Sequence, residues 1–223
     1  MIDPNKKEEI PIRASDVCHR AFELMKAKQY DDAEKLLANN MAHTEDPSAT
    51  ALYHSAMGVL YKIKGEFKTA WRHYQRAEKL LPEDPALKII IARLLLEEFS
   101  EYDGAIKRAK KVLKILPNNP VFAHQAYTTL GLAYCRKGEK QKSIEVLEKS
   151  WGNDFENFIT SKNIDFHLVE MVLRRGWGLS SCYRFMNKAL VFAKNRKEQP
   201  FVDTFQKMLS AFEQEYLGEK DRR

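Results

Sequence analysis

Three cysteines in 223 residues, Cys18, Cys135 and Cys182, are too few and too far apart for a disulfide framework or a paired metal-ligand motif. Reduced thiols are expected. Glycine and proline are also scarce, nine and eight, which leaves little to interrupt regular structure. No long apolar run exists: Ile89 to Leu96, the longest, contains Arg93 and is far too short to cross a bilayer. The opening Met1 to Glu9 lacks the hydrophobic region that a secretory signal requires, so a soluble cytoplasmic protein is expected. Signs of chemistry are missing too. His19, His43, His54, His73, His124 and His167 are scattered, no His-Glu-x-x-His pair grips a metal, and no glycine-rich loop cradles phosphate. A chain without a visible site is expected to be no enzyme and to need neither metal nor cofactor.

What the chain does have is a repeated spacing of small residues. Ala21 and Ala33, Gly58 and Ala70, Ala92 and Ala105, and Gly131 and Ser143 form four pairs. The separation is 12 residues, or 13 in the third pair, which suits two short antiparallel helices crossing where neither carries a bulky side chain. Around each pair the chemistry recurs. Leu24, Tyr61, Leu95 and Tyr134 lie three residues after the first small site, and Tyr30, Phe67 and Tyr102 three before the second. Such repetition reads as stacked helical hairpins, a solenoid.

This pattern resembles the tetratricopeptide repeat (TPR) family. The unit from Ala51 to Asp84 carries Met57-Gly58, Tyr61, Gly65, Phe67, Ala70, Tyr74, Ala77 and Pro82 at the family's sites, and the fourth unit carries Tyr127, Leu130-Gly131, Tyr134, Gly138, Ser143 and Leu147. The resemblance implies an all-α, right-handed superhelical solenoid with a concave face lined by the first helix of each hairpin. It covers about residues 14–151. Residues 1–13 read as a flexible arm and residues 152–199 as a degenerate fifth hairpin, with helices at Ile164 to Arg175 and Leu179 to Asn195. Phe201, Phe205, Met208, Leu209, Phe212 and Tyr216 put an apolar face on residues 200–223, expected to cap the last hairpin.

Helical geometry turns the residues three before, one after and four after each small site toward the concave face. They are Cys18, Phe22 and Met25; Ser55, Val59 and Lys62; Ile89, Arg93 and Leu96; and Thr128, Leu132 and Cys135. Twist of the superhelix or the chain's own termini would bury some of them. Otherwise they form a mainly apolar groove flanked by Lys62 and Arg93, suited to an amphipathic helix or an extended apolar segment of a partner protein. The lysine, asparagine and arginine set with which TPR domains clamp acidic chaperone tails is missing, since Cys18, Phe22, Ala56, Ala86 and Ile90 hold those positions. Net charge is +6, and ten basic against five acidic residues fall within 101–150, around Lys107, Arg108, Lys110, Lys111 and Lys114. A noncatalytic adaptor or scaffold is the expected function, and an RNA-binding protein using that basic patch is the alternative.

Overall fold

The computed structural model describes residues 13–217. Eleven α-helices and no β-strand occur among them. In chain order they are α1 (Ala14–Lys26), α2 (Tyr30–Ala42), α3 (Pro47–Ile63), α4 (Phe67–Leu80), α5 (Pro85–Glu98), α6 (Tyr102–Ile115), α7 (Pro120–Arg136), α8 (Lys140–Ser150), α9 (His167–Arg174), α10 (Leu179–Asn195) and α11 (Gln199–Phe212). The chain divides into two compact units, one ending at Leu87 and the other beginning at Lys88. The arm expected over residues 1–13 lies outside the described residues up to position 12, and so does the tail from 218 onward.

Local chemistry fixes three of the helix starts. An acidic or amide side chain followed by proline opens α3, α5 and α7. Asp46 accepts from the Ser48 and Ala49 amides at 2.9 and 3.2 Å, Asp84 from Leu87 at 2.7 Å, and Asn119 from Phe122 at 3.1 Å. Each side chain satisfies helix-end donors, and the proline that follows has no N–H to leave unpaired. At α1 the cap position is held by Arg13, which makes no side-chain cap bond.

The turns between paired helices follow one design. A residue of positive φ ends the first helix, and the next amide bonds a carbonyl five residues back. Gly65 and Gly138, both at φ 77°, take that place after α3 and α7, with Glu66 bonding Tyr61 at 2.8 Å and Glu139 bonding Tyr134 at 2.9 Å. Lys28 and Lys197 occupy it after α1 and α10, at φ 61° and 58°. Ser100 does so after α5, where the Glu101 amide reaches back six residues to Leu95. That extra residue is why the third pair of small sites is 13 apart rather than 12.

In the first unit α1 packs on α2 and α3, and α3 on α4. The core holds Val17, Ala21, Met25, Ala33, Leu37, Tyr53, Met57 and Leu60. A Cβ on Gly58 would lie 2.6 Å from Tyr74 Cδ1, so the glycine leaves room for a ring. In the second unit α7 contacts α6, α8 and α9. Gly131 is a point of close approach: Ser143 Oγ donates to the Gly131 carbonyl at 3.0 Å, and a Cβ there would stand 2.7 Å from Leu168 Cδ1 of α9.

Between α8 and α9 lies the stretch that reads as an irregular connector, and it is packed rather than loose. Trp151, Phe155, Phe158 and Ile164 are buried. The first helix of the fifth pair is correspondingly shorter than the expected Ile164 to Arg175, starting at His167 after a 3-10 turn over Ser161–Asn163. α11 packs on α10 through Val202, Phe205, Leu209 and Phe212, all buried.

Candidate functional site

Small sites and groove positions alternate on the first helix of each pair, so burial separates the residues that could meet a partner from those that hold the fold. In the first unit Cys18 and Met25 lie in the core, and burial pushes the Cys18 thiol up to about 11. Phe22 and Val59 pack against that core while keeping part of their surface, and Ser55 and Lys62 are half-buried. In the second unit Ile89, Leu96, Thr128, Leu132 and Cys135 are buried and Arg93 is half-buried.

The second unit brings three of the twelve together around one cavity of about 510 Å³: Arg93 and Leu96 of α5 and Leu132 of α7. Its other walls are Glu97 and Glu98 of α5, Arg136 of α7, and His167, Glu170, Met171 and Arg174 of α9. Its lining is therefore polar above an apolar floor, unlike the mainly apolar groove expected. Two reasons account for the difference. Leu96 and Leu132 are only 1% and 5% exposed, because neighbouring helices share their faces. The contribution of α9 goes unseen in the sequence because Val169 is too large for a small site. The space for it comes from across the contact, where Leu168 fills the gap above Gly131. The signal that could have revealed it is Arg136 and Arg174, each five residues after its small-site position.

Arg93 is held rather than free. It pairs with Asp165 and lies 3.6 Å from Glu97. The Asp165 carboxylate also accepts from the His167 amide at 2.9 Å and meets the His167 ring at 2.6 Å. Burial works to raise the pKa of Asp165, but the Arg93 charge and the bonds from His167 outweigh it and hold it below the ordinary carboxylate value. The Asp165 amide donates to His124 Nε2 at 2.8 Å, while His124 Nδ1 donates to the Ser150 carbonyl at 2.8 Å. Fully buried among Phe155, Phe158 and Phe185, His124 is a neutral imidazole whose pKa is lowered chiefly by burial. It clamps the connector to α7 and so sets the position of Asp165 beside Arg93.

A histidine pair lies in the first unit. His54 Nδ1 and His73 Nδ1 are 3.0 Å apart, and the His73 ring stacks on Tyr61 at 5.3 Å. Tyr61 in turn donates to Glu34 at 2.7 Å. Burial, then the neighbouring His54, lowers His73 to about 4. Such a pair shares one proton and supports packing. Among the described residues no group of three or more histidine, cysteine, aspartate or glutamate side chains is placed to hold a metal. No described helix is long and apolar enough to cross a membrane.

No protein-family model and no curated sequence matches the chain. Solved structures do. PilW, a type IV pilus biogenesis factor, aligns at TM-score 0.63 with 15% identity over 89% of this chain and 92% of its own. Pseudomonas aeruginosa PilF aligns at 0.61 with 14% identity over 93% and 95%. The TPR protein TTC0263 of Thermus thermophilus aligns at 0.59 with 16% identity over 88% and 99%. Helix pairs with small residues at their crossings, positive-φ turns and this likeness in structure agree: the chain has the all-α helical-repeat fold of the TPR-like proteins.

Proposed function

We propose that the protein is a noncatalytic adaptor or scaffold that holds a segment of a partner protein in the groove formed by α5, α7 and α9. The observation that carries this reading is the cavity itself, open, walled by arginine and glutamate, and floored by Leu96, Leu132 and Met171. A polar rim around a small apolar floor is the anatomy of a peptide site rather than of a reaction centre. In the first unit the partly exposed faces of Phe22 and Val59, with Ser55 and Lys62, offer a second, smaller contact. Three free and buried thiols fit a reducing, cytoplasmic setting. RNA binding has one observation in its favour, the exposed stripe of Lys107, Lys110 and Lys114 on α6.

Recovery of partners with the tagged chain from its native cell, identified by mass spectrometry, tests the reading. Proteins recovered with the parent chain are expected to be lost with Met171→Glu and retained when Lys107, Lys110 and Lys114 are changed to Glu. The opposite pattern, or retained RNA whose release needs only salt, would reject it.

A further inference from the structure

We propose that Arg136 and Arg174 act as a matched pair selecting an acidic side chain that stands next to an apolar residue in the partner segment. This rests on the groove reading above and names what the groove takes.

Register places the two arginines at the same end of the groove. On the α7 and α9 contact, Gly131 meets Leu168 and the Cys135 thiol lies 3.9 Å from the Met171 carbonyl. Residue numbers rise together along this contact, so Arg136 and Arg174, the last residues of α7 and α9, stand at the same end of the cavity that both helices wall. Both are exposed, both line the cavity, and neither forms an ion pair among the described residues. Arg93, at the other end, is committed to Asp165 and Glu97. Arg175, the residue that follows α9, is engaged elsewhere, with its guanidinium 5.4 Å over the Trp177 ring. Arg174 is thereby left to the groove. Two guanidinium groups with planar donors are a fit for one carboxylate, which they can grip through paired hydrogen bonds.

Charge complementarity fixes the rest of the occupant. The cavity walls hold three arginines and three glutamates, so no net positive field draws a polyanion into it. Recognition must be local, charge against charge. A segment with an acid over Arg136 and Arg174, an apolar residue over Met171 and a basic residue toward Glu98 matches the lining in each part. An RNA strand or a run of acids would set phosphates or carboxylates against Glu98 and Glu170.

The probe is a phage-displayed library of random twelve-residue peptides, panned on the full chain and on its Arg136→Glu/Arg174→Glu variant. Circular dichroism confirms that the variant is folded. Selected sequences are then synthesised and titrated by fluorescence anisotropy. The parent chain is expected to select an acid adjacent to an apolar residue, the variant is expected to select a base at that place, and parent-selected peptides should bind the variant at least tenfold more weakly. The same consensus from both proteins, a loss of less than tenfold, or a library yielding no binder overturns the proposal. So does tighter binding of a labelled oligouridylate than of any peptide, or a change in oligomeric state caused by the double reversal. Met171→Glu separates the two levels: peptides lost with it yet indifferent to the arginine reversal leave the groove reading standing and remove this one. Indifference to both variants removes both.

Discussion

Gly131 and Gly58 carry different neighbours from those their spacing suggests, and their replacement gives a sharp test. The pairing with Ser143 and Ala70 implies a bare crossing of two helices, but side chains of Leu168 and Tyr74 occupy the room that the glycines leave. Gly131→Ala and Gly58→Ala are expected to lose about 1–3 kcal/mol in urea denaturation through overpacking, against glycine's poor helix propensity, which alone would make alanine stabilising. The turns predict the reverse sign. Lys28, Ser100 and Lys197 sit at positive φ where side chains are disfavoured, so replacing each by glycine should gain about 0.5–1 kcal/mol. Gly65→Ala and Gly138→Ala should lose a similar amount.

Histidine burial gives a pH dependence. The folded protein holds His124 and His73 below their unfolded value near 6.5, so the unfolded chain takes up protons that the folded chain refuses. Stability contributed by these rings is full above about 6.5, falls as pH drops through that value, and for His73 continues to fall to about 4. Urea midpoints measured from pH 8 to pH 4.5 should decline over this window, and His73→Gln should flatten part of the decline. Asp165, held below its ordinary value, adds its own loss only in more acid solution, below about 4.

At the scale of elements, the pairs of small residues are the part of the fold most legible in the sequence. All eight are buried. The apolar face of the last helix is legible too, with its centre shifted to Val202, Phe205, Leu209 and Phe212, while Phe201 and Met208 are half-buried. Deleting residues 200–223 should therefore expose the α10 face and the ring of Phe166, which lies 4.9 Å from Phe205. Aggregation or loss of a cooperative thermal transition is the expected result, read by light scattering and calorimetry; a monomeric product of unchanged Tm would contradict it. The connector is harder to read, because Gly152, Asn153, Asp154 and Asn157 announce turns while Phe155 and Phe158 announce a core. Both signals are true. Phe155 is 1% exposed at φ 64°, a backbone cost accepted where a ring must enter the cluster around His124. His124 lies four residues before Thr128 and seven before Gly131, a helix-face spacing that marks it as inward but says nothing of the Asp165 amide it receives.

For the whole molecule, three of the twelve groove positions read from the sequence fall on the cavity, whose polar character the sequence did not show. Arg93, Leu96 and Leu132 line the cavity, yet periodicity has no measure of how deeply a leucine is covered or of which arginine already has a carboxylate beside it. Charge behaves in a corresponding way. The chain carries +6 overall, with its excess around α6, whereas the groove lining is balanced. Binding of a partner segment in the groove should thus weaken only severalfold between 50 and 300 mM salt, about what one or two local pairs imply. Phosphate-driven association at the lysine stripe would fall by orders of magnitude. Anisotropy titrations of a selected peptide across that range distinguish the two.

The hairpin turns have a consequence for dynamics. In each, the amide that follows the positive-φ residue is held by a carbonyl five or six residues earlier, as Glu66, Glu101, Glu139 and Glu198 are. Turns closed in this way do not behave as loops when deuterium replaces the amide hydrogens. These four amides should exchange with the slow class of the flanking helices, and their hydrogens should be released only when a whole helix pair opens. The repeats would then breathe as units, with the turn as part of each unit rather than a seam between two helices.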